Sequence, residues 1–141
     1  MNDVTTTRPD TTANSAKEGV IAYLQVDGAM KAAEYYQRAL GAKLLFAVPV
    51  DKNGRTGHVH LQINGSSIML CDGCPEDDHP PRPQGFNLLL DVDDIEAWWQ
   101  RAIDAGADVI MPVTDMFWGA RYGQLRDLFG VVWALNQRTA T

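Results

Sequence analysis

The chain has 141 residues, of which 45% are hydrophobic and 21% charged, and its formal net charge is −6. This length fits one domain, and the composition is typical of soluble globular proteins. The acidic balance argues against a nucleic-acid partner, because that affinity depends on basic residues that neutralise phosphates. No apolar stretch reaches the roughly 20 residues of a membrane span. Only two cysteines are present, so we expect a cytoplasmic protein without a membrane partner.

The first half of the chain predicts one strand, one helix and three further strands. Residues 1–18 are rich in Thr, Asp and Asn and have no apolar core, so we predict a disordered tail there. Residues 21–27 form a short apolar run and lead into a segment whose apolar residues recur at helical spacing. This helix ends at Gly41, which suits a left-handed C-cap. The three strand-like runs that follow are residues 43–50, 57–63 and 67–71.

The second half repeats this order. Residues 86–93 predict a strand, and the helix after it ends near Gly106. Three strand-like runs follow at residues 108–113, 121–126 and 131–136. Matching residues of the two halves lie 65 apart, as in the pairs Gly41/Gly106, Gly65/Gly130 and Leu70/Leu135.

The repeat predicts an α+β fold made of two β-α-β-β-β modules. We place them at residues 19–72 and 85–137 of one domain, 19–138, with residues 73–84 as a Pro-rich linker. In the third strand, Val59, Leu61 and Ile63 alternate with His58, His60 and Gln62. The apolar set is expected to pack on the helix and the polar set to face a concavity between the modules. Such a concavity is a small-molecule site by default.

Two stretches carry a resemblance to a known family. The longer one is Met-Pro-Val-Thr-Asp-Met-Phe-Trp-Gly-Ala-Arg-Tyr-Gly-Gln-Leu-Arg-Asp-Leu-Phe-Gly at residues 111–130, followed by Trp-Ala-Leu at 133–135. The other begins with Ala-Tyr-Leu-Gln-Val at residues 22–26 and continues through Tyr-Tyr at 35–36 and Gly-Ala at 41–42. The chain resembles the vicinal-oxygen-chelate superfamily (glyoxalase, bleomycin-resistance protein, dioxygenase), closest to its PhnB-like branch. The resemblance implies a glyoxalase-like half-open barrel around a cavity, and a homodimer.

The resemblance also locates the metal positions of the family. Metal-dependent relatives take one ligand, usually His or Glu, from the first and last strand of each module. Here those positions are occupied by Ile21, Met69, Asn87 and Ala134. Ile and Ala cannot ligate, a thioether suits a hard divalent cation poorly, and one amide oxygen is weak. Because a catalytic metal generally needs three protein ligands, we predict no metal site of this kind and no cofactor.

The pair His58 and His60 leaves three interpretations open. The two imidazoles lie on one face of a strand, where they line the cavity, or form a metal set with Gln62 and an acidic neighbour, or act as acid and base. PhnB-like relatives often carry an imidazole at the position of His58, so the resemblance favours the cavity role.

The pair Cys71 and Cys74 forms a C-x-x-C motif with His79 nearby. Redox pairs of this kind are activated at a helix N-terminus, and the Pro-rich residues that follow do not predict a helix. Zinc needs a second close pair. We therefore interpret the cysteines as two thiols at a loop entrance.

The segment 115–122 offers aromatic, cationic and hydroxyl groups. Trp118 and Tyr122 are suited to stacking on a planar ligand and Arg121 to forked hydrogen bonds. The alternative places Trp118 in a dimer interface and pairs Arg121 with Asp115 or Asp127. Metal-free bleomycin-binding relatives carry a similar Trp-Gly-Arg segment, so the resemblance favours the ligand role.

These observations lead to a metal-independent small-molecule binding protein as the first functional hypothesis. The residues predicted to line its cavity are His58, His60, Met69, Asn87, Trp118, Arg121 and Tyr122. The second hypothesis is an enzyme of the superfamily, a lyase, isomerase or dioxygenase that uses His58 and His60 as metal ligands or as acid and base. A third is a scaffold whose cavity has no ligand.

Overall fold

The computed structural model describes residues 19–73 and 82–139 of the chain. The predicted tail at residues 1–18 lies outside the described residues. So do Cys74 and His79 of the linker, so the predictions for the C-x-x-C motif stay predictions.

The predicted β-α-β-β-β order occurs in both halves, which confirms the α+β fold class. The elements are β1 (Ala22–Val26), α1 (Ala29–Leu40), β2 (Lys43–Ala47), β3 (Val59–Ile63), β4 (Ser66–Asp72), β5 (Asn87–Asp91), α2 (Ile95–Asp104), β6 (Asp108–Met116), β7 (Ala120–Arg126) and β8 (Val132–Arg138). We call the part from β1 to β4 module 1 and the part from β5 to β8 module 2. No helix of the described residues is long and apolar enough to cross a membrane.

Each module forms its own four-stranded mixed sheet. The strand order is β1-β4-β3-β2 in module 1 and β5-β8-β7-β6 in module 2. In each sheet the first strand pairs in parallel with the last, and the remaining pairs are antiparallel. No strand of one sheet is bonded to a strand of the other in the described part of the chain. The two sheets are therefore not closed into one barrel.

One helix covers one face of each sheet, as the alternation in β3 predicts. Val59, Leu61 and Ile63 are at most 4% exposed, because period-two alternation turns every second side chain toward α1. The helix α1 offers a matching apolar stripe that includes the fully buried Ala32, Ala33 and Tyr36. It ends at Gly41 in the left-handed conformation (φ 65°), as predicted.

The two modules meet through their helices and through one buried polar contact. The helices α1 and α2 pack on each other. The Tyr36 hydroxyl of α1 donates to Asp127 Oδ2 in the turn between β7 and β8. The same carboxylate accepts from Trp133 Nε1 (2.8 Å) and from the backbone N–H groups of Phe129 and Val131. Four donors thus satisfy a carboxylate that is 7% exposed.

Each helix is capped by a side chain from the last strand of its own module. Asp72 Oδ1 accepts from the N–H groups of Gly28 (2.8 Å) and Ala29 at the start of α1. Gln137 Oε1 accepts from the N–H of Ile95 at the start of α2 (2.8 Å). These contacts satisfy N–H groups that have no partner within a helix. They fix each helix relative to the strand that carries the cap.

Candidate ligand-binding site

The face of the first sheet that points away from α1 carries most of the chemically useful side chains of module 1. We call it the open face. Most of its members alternate with buried residues along their own strand. The others pair across the sheet with a residue that alternates in this way. They are Tyr23, Gln25, Phe46, His58, His60, Gln62, Ser67, Met69 and Cys71.

Four of these residues form a row across the whole sheet. Met69 in β4 pairs with Tyr23 in β1 on one side and with His60 in β3 on the other, and His60 pairs with Phe46 in β2. Directly paired side chains lie about 4.5–5.5 Å apart at Cβ. Tyr23 is 50% exposed and Phe46 57%. The row therefore presents two aromatic rings, a thioether and an imidazole to solvent.

The ring of His58 lies between the two aromatic rings of this row. Its centroid is 5.6 Å from that of Tyr23 and 6.1 Å from that of Phe46, with interplanar angles of 52° and 45°. These separations fall in the range of aromatic contacts. The three rings form one half-exposed aromatic surface, which we call the ring cluster.

The Tyr23 hydroxyl organises His58 within this cluster. It lies 2.7 Å from His58 Nδ1 and 3.2 Å from the carbonyl oxygen of Gly57. The hydroxyl has one proton and a carbonyl can only accept, so both contacts form at once only when Nδ1 carries a proton and donates to Tyr23. In that tautomer, His58 Nε2 is an acceptor. No group in residues 19–73 and 82–139 bonds to it, so it is available to a donor on a ligand.

His60 is held differently. Its Nε2 lies 2.9 Å from the Ser67 hydroxyl on the neighbouring strand, which ties the ring to β4. The two imidazoles of the His-x-His pair therefore have separate partners. In this arrangement they do not converge on a common point.

The thiol of Cys71 completes the open face but is not activated. Burial, followed by the carboxylate of Asp72, raises the pKa of Cys71. A raised pKa keeps the thiol protonated near neutral pH, and a protonated thiol is a poor nucleophile. Burial and the nearby Cys71 also raise the pKa of Tyr23, so its hydroxyl stays neutral.

The family's metal positions do not fit a metal here. Ile21 and Ala134 offer no donor atom, and Ala134 is completely buried. Met69 and Asn87 offer only a thioether and an amide. Among the described residues there is no group of three or more His, Cys, Asp or Glu side chains placed to hold a metal ion.

The other predicted site residues belong to module 2. All of them except Arg121 lie on the face of the second sheet that points away from α2, or in a turn at the end of that sheet. Asn87 lies on β5 and is exposed, and Tyr122 lies on β7 with its hydroxyl accepting from Gln124 Nε2 (2.9 Å). Trp118, in the turn between β6 and β7, is 49% exposed and lies 5.5 Å from the Tyr122 ring, centroid to centroid. Phe117 extends this group and is 94% exposed.

Arg121 lies on the opposite side of the second sheet from Tyr122. Its guanidinium forms an ion pair with Glu96 of α2 and lies 3.5 Å from an Asp115 oxygen. The alternative interpretation of segment 115–122 predicted a pairing of Arg121 with Asp115 or Asp127, and the structure has the pairing with Asp115. The structure thus places Arg121 against the helix rather than beside Tyr122.

The predicted site residues therefore fall into two groups. His58, His60 and Met69 share the open face of module 1, whereas Asn87, Trp118 and Tyr122 belong to module 2. Among the described residues, no hydrogen bond or ring contact joins the two groups.

Sequence reasoning missed Tyr23 and Phe46. The alternation of Tyr23 and Gln25 with the apolar Leu24 and Val26 in β1 was the signal that could have found Tyr23.

Comparison with known proteins agrees with this architecture. The family model of the Glyoxalase/Bleomycin resistance protein/Dioxygenase superfamily matches residues 18–135. The chain belongs to this superfamily. Protein Rv0887c of Mycobacterium tuberculosis is 36% identical over 135 residues, covering 91% of this chain and 79% of that protein.

Solved structures of the superfamily fold also match. Protein PA1353 of Pseudomonas aeruginosa superposes with a TM-score of 0.70 at 27% identity, over 86% of this chain and 98% of that one. The PhnB protein of Bacillus cereus superposes with a TM-score of 0.67 at 18% identity, over 85% and 99%. This superfamily member therefore has PhnB-like structural neighbours, as the sequence resemblance predicts.

Proposed function

We propose that the protein is a metal-independent small-molecule binder of the glyoxalase/bleomycin-resistance type, with its ligand held on the open face of module 1. The observation that carries the proposal is the ring cluster of Tyr23, Phe46 and His58. Half-exposed aromatic rings at contact distance gain free energy when a planar ligand covers them. Nothing in folding requires three such rings on a solvent-facing surface.

The chemistry of the cluster suggests the class of ligand. Flat rings favour a planar aromatic molecule, and an acceptor at His58 Nε2 favours one that carries an N–H or O–H donor. The net charge of −6 favours a neutral or cationic ligand over an anionic one. A planar, amino-substituted aromatic cation meets all three conditions.

Proflavine, a fluorescent three-ring diamine, is a suitable probe. Typical efficiencies for a ligand of this size give a Kd on the order of 10–100 µM. We expect Tyr23→Ala and Phe46→Ala to weaken binding roughly 3–10-fold each, as measured by fluorescence anisotropy. Phe117→Ala is the matched control, because Phe117 is an exposed ring outside the cluster. Equal losses in Phe46→Ala and Phe117→Ala, or no saturation by 1 mM probe (about ten times the upper estimate), would refute the proposal.

Metal independence is tested separately. Elemental analysis of tag-free protein, before and after equilibration with Mn, Fe, Ni and Zn followed by dialysis, is expected to give metal far below one ion per chain. A near-stoichiometric metal that is lost in His58→Ala or His60→Ala would overturn this part of the proposal.

An enzyme remains the second candidate, and the Tyr23–His58 hydrogen bond favours it. A phenol bonded to an imidazole can hold a proton at Nδ1 while Nε2 accepts one from a substrate. This reading predicts a lyase or isomerase reaction that disappears in His58→Ala while the fold survives. Binding without conversion of the bound molecule favours the first candidate.

We further propose that the protein acts as a cytoplasmic homodimer. The outer strand β2 presents Leu44 at 44% and Leu45 at 50% exposure, and an exposed apolar edge strand tends to pair with another chain. A second copy of the chain would cover this edge. Light scattering coupled to size-exclusion chromatography checks the dimer, and a monomer at high micromolar concentration contradicts it.

A further inference from the structure

We infer a second binding site, for a single-ring aromatic molecule of the phenol type, in a cavity at the junction of the two modules. The cavity has a volume of about 170 Å³. It lies between the turn that joins β3 to β4 and strand β5. It is separate from the ring cluster and does not depend on the function proposed for it.

The floor of the cavity is apolar and firmly held. It is lined by Ile63, Ile68, Leu90 and Trp133, each 4–5% exposed. The indole N–H of Trp133 donates to Asp127, so this side chain offers the cavity a ring and no donor. Water in a pocket with such walls lacks partners, and its replacement by an apolar ring is favourable.

The rim of the cavity is polar and is fixed to both modules. Asn64, Ser66 and Ser67 line it on the side of module 1. Asn64 adopts a left-handed conformation (φ 51°), and its Nδ2 donates to the carbonyl oxygen of Asp91 in module 2 (3.1 Å). An apolar floor with a polar rim matches a molecule that has one apolar ring and one hydroxyl or amino substituent.

The volume sets the size of the ligand. An apolar cavity of about 150 Å³ accommodates benzene, so about 170 Å³ accommodates one ring with a small substituent, and a second fused ring would have to extend into solvent. A molecule with about seven heavy atoms is expected to bind with a Kd on the order of 0.1–1 mM. This small capacity also distinguishes the cavity from the ring cluster, since a three-ring probe cannot be buried in it.

The test is a titration of ¹⁵N-labelled protein with phenol, followed at the indole N–H signal of Trp133. We expect a saturable shift with a midpoint near 1 mM or below. Ala22→Leu adds three carbon atoms to a residue that lines the cavity, so it should weaken phenol binding at least 10-fold and leave proflavine binding unchanged. Phe117→Ala serves as the control and should bind phenol like the wild type.

A size series tests the same inference without a substitution. Phenol and 4-methylphenol should shift the Trp133 signal, whereas 2-naphthol should do so at least 10-fold more weakly. A shift that stays linear with concentration, or equal affinities for phenol and 2-naphthol, would overturn the inference. So would unchanged phenol binding in a folded Ala22→Leu protein.

Discussion

The carboxylate of Asp127 links the two modules, and its removal from the hydrogen-bond network has a calculable cost. Its Oδ2 accepts from the Tyr36 hydroxyl of module 1 and from Trp133 Nε1 of module 2. Its Oδ1 accepts from two backbone N–H groups of its own turn. Three of these four bonds lie within module 2, and the fourth, from Tyr36, spans the junction between the modules.

Tyr36→Phe removes this bond and almost nothing else. The ring of Tyr36 is completely buried against Trp133 and Phe129, and phenylalanine keeps that packing. A hydrogen bond to a charged acceptor contributes about 1.5–3 kcal/mol, so the free energy of unfolding should fall by this amount. For a domain of this size the melting temperature should fall by roughly 5–15 °C.

The assay is urea unfolding followed by circular dichroism, with the slope on urea checked for constancy. A double-mutant cycle with Asp127→Asn measures how much of this bond depends on the charged acceptor. The asparagine amide places a donor against the Trp133 N–H, which cannot rotate to accept, so Asp127→Asn alone should cost about 1–3 kcal/mol. In the Asp127→Asn background the Tyr36 hydroxyl can still accept from the asparagine amide, so Tyr36→Phe should lower the free energy of unfolding by only the roughly 0.5–1.5 kcal/mol of a neutral hydrogen bond.

Two outcomes would refute this reasoning. A change of less than about 0.5 kcal/mol for Tyr36→Phe would show that the bond contributes nothing net. Fully additive effects in the cycle would show that Tyr36 and Asp127 do not act together.

Three further predictions use the same unfolding measurement. Burial and the nearby carboxylate raise the pKa of Tyr36 well above 10.0. Its contribution to the free energy of unfolding is therefore complete below about pH 10 and is lost as the pH rises further. Between pH 9 and 11, the free energy of unfolding should fall less in a Tyr36→Phe protein than in the wild type. Gly123→Ala should lower the free energy of unfolding by about 1–3 kcal/mol, because an added Cβ would lie 2.7 Å from the Trp99 ring. Gly57→Ala is the control and should leave the free energy of unfolding nearly unchanged, because a Cβ there meets open space. Asp72→Ala should lower the free energy of unfolding by about 1–3 kcal/mol, because it leaves the first N–H groups of α1 without their acceptor. An unchanged free energy of unfolding would contradict the capping role.

The repeat in the sequence was sufficient to predict the modules, because each depends on local patterns. Period-two alternation in β3 and helical spacing in α1 decide which residues are buried, and a spacing of 65 residues carries the pattern into the second half. The relative placement of the modules does not follow from such patterns. It depends on long-range contacts such as Tyr36 with Asp127, 91 residues apart, for which a single sequence holds no periodic signal.

Within segment 115–122 the structure separates Arg121 from Tyr122 for a local reason. Arg121 and Tyr122 are adjacent in β7, and adjacent residues of a strand point to opposite faces. Arg121 shares its side with Leu125, a core residue 1% exposed, so it meets Glu96 on the helix. Grouping both residues in one ligand site ignored this alternation.

A comparison of the two modules indicates where function can be separated from folding. The framework is present twice: Asp72 and Gln137, 65 residues apart, each cap their own helix, and Gly41 and Gly106 both have positive φ after a helix. The open faces differ, since the position of Tyr23 beside Met69 corresponds to Leu89 beside Ala134 in module 2.

A sheet that folds with Leu89 and Ala134 on this face does not need a tyrosine and its imidazole partner there. Tyr23 and Phe46 are half-exposed, so their removal forfeits little buried surface. Substitutions in the ring cluster should therefore change binding while the free energy of unfolding stays within about 1 kcal/mol of wild type. A loss of binding in Tyr23→Ala would then report on the ligand contact itself and not on a damaged fold.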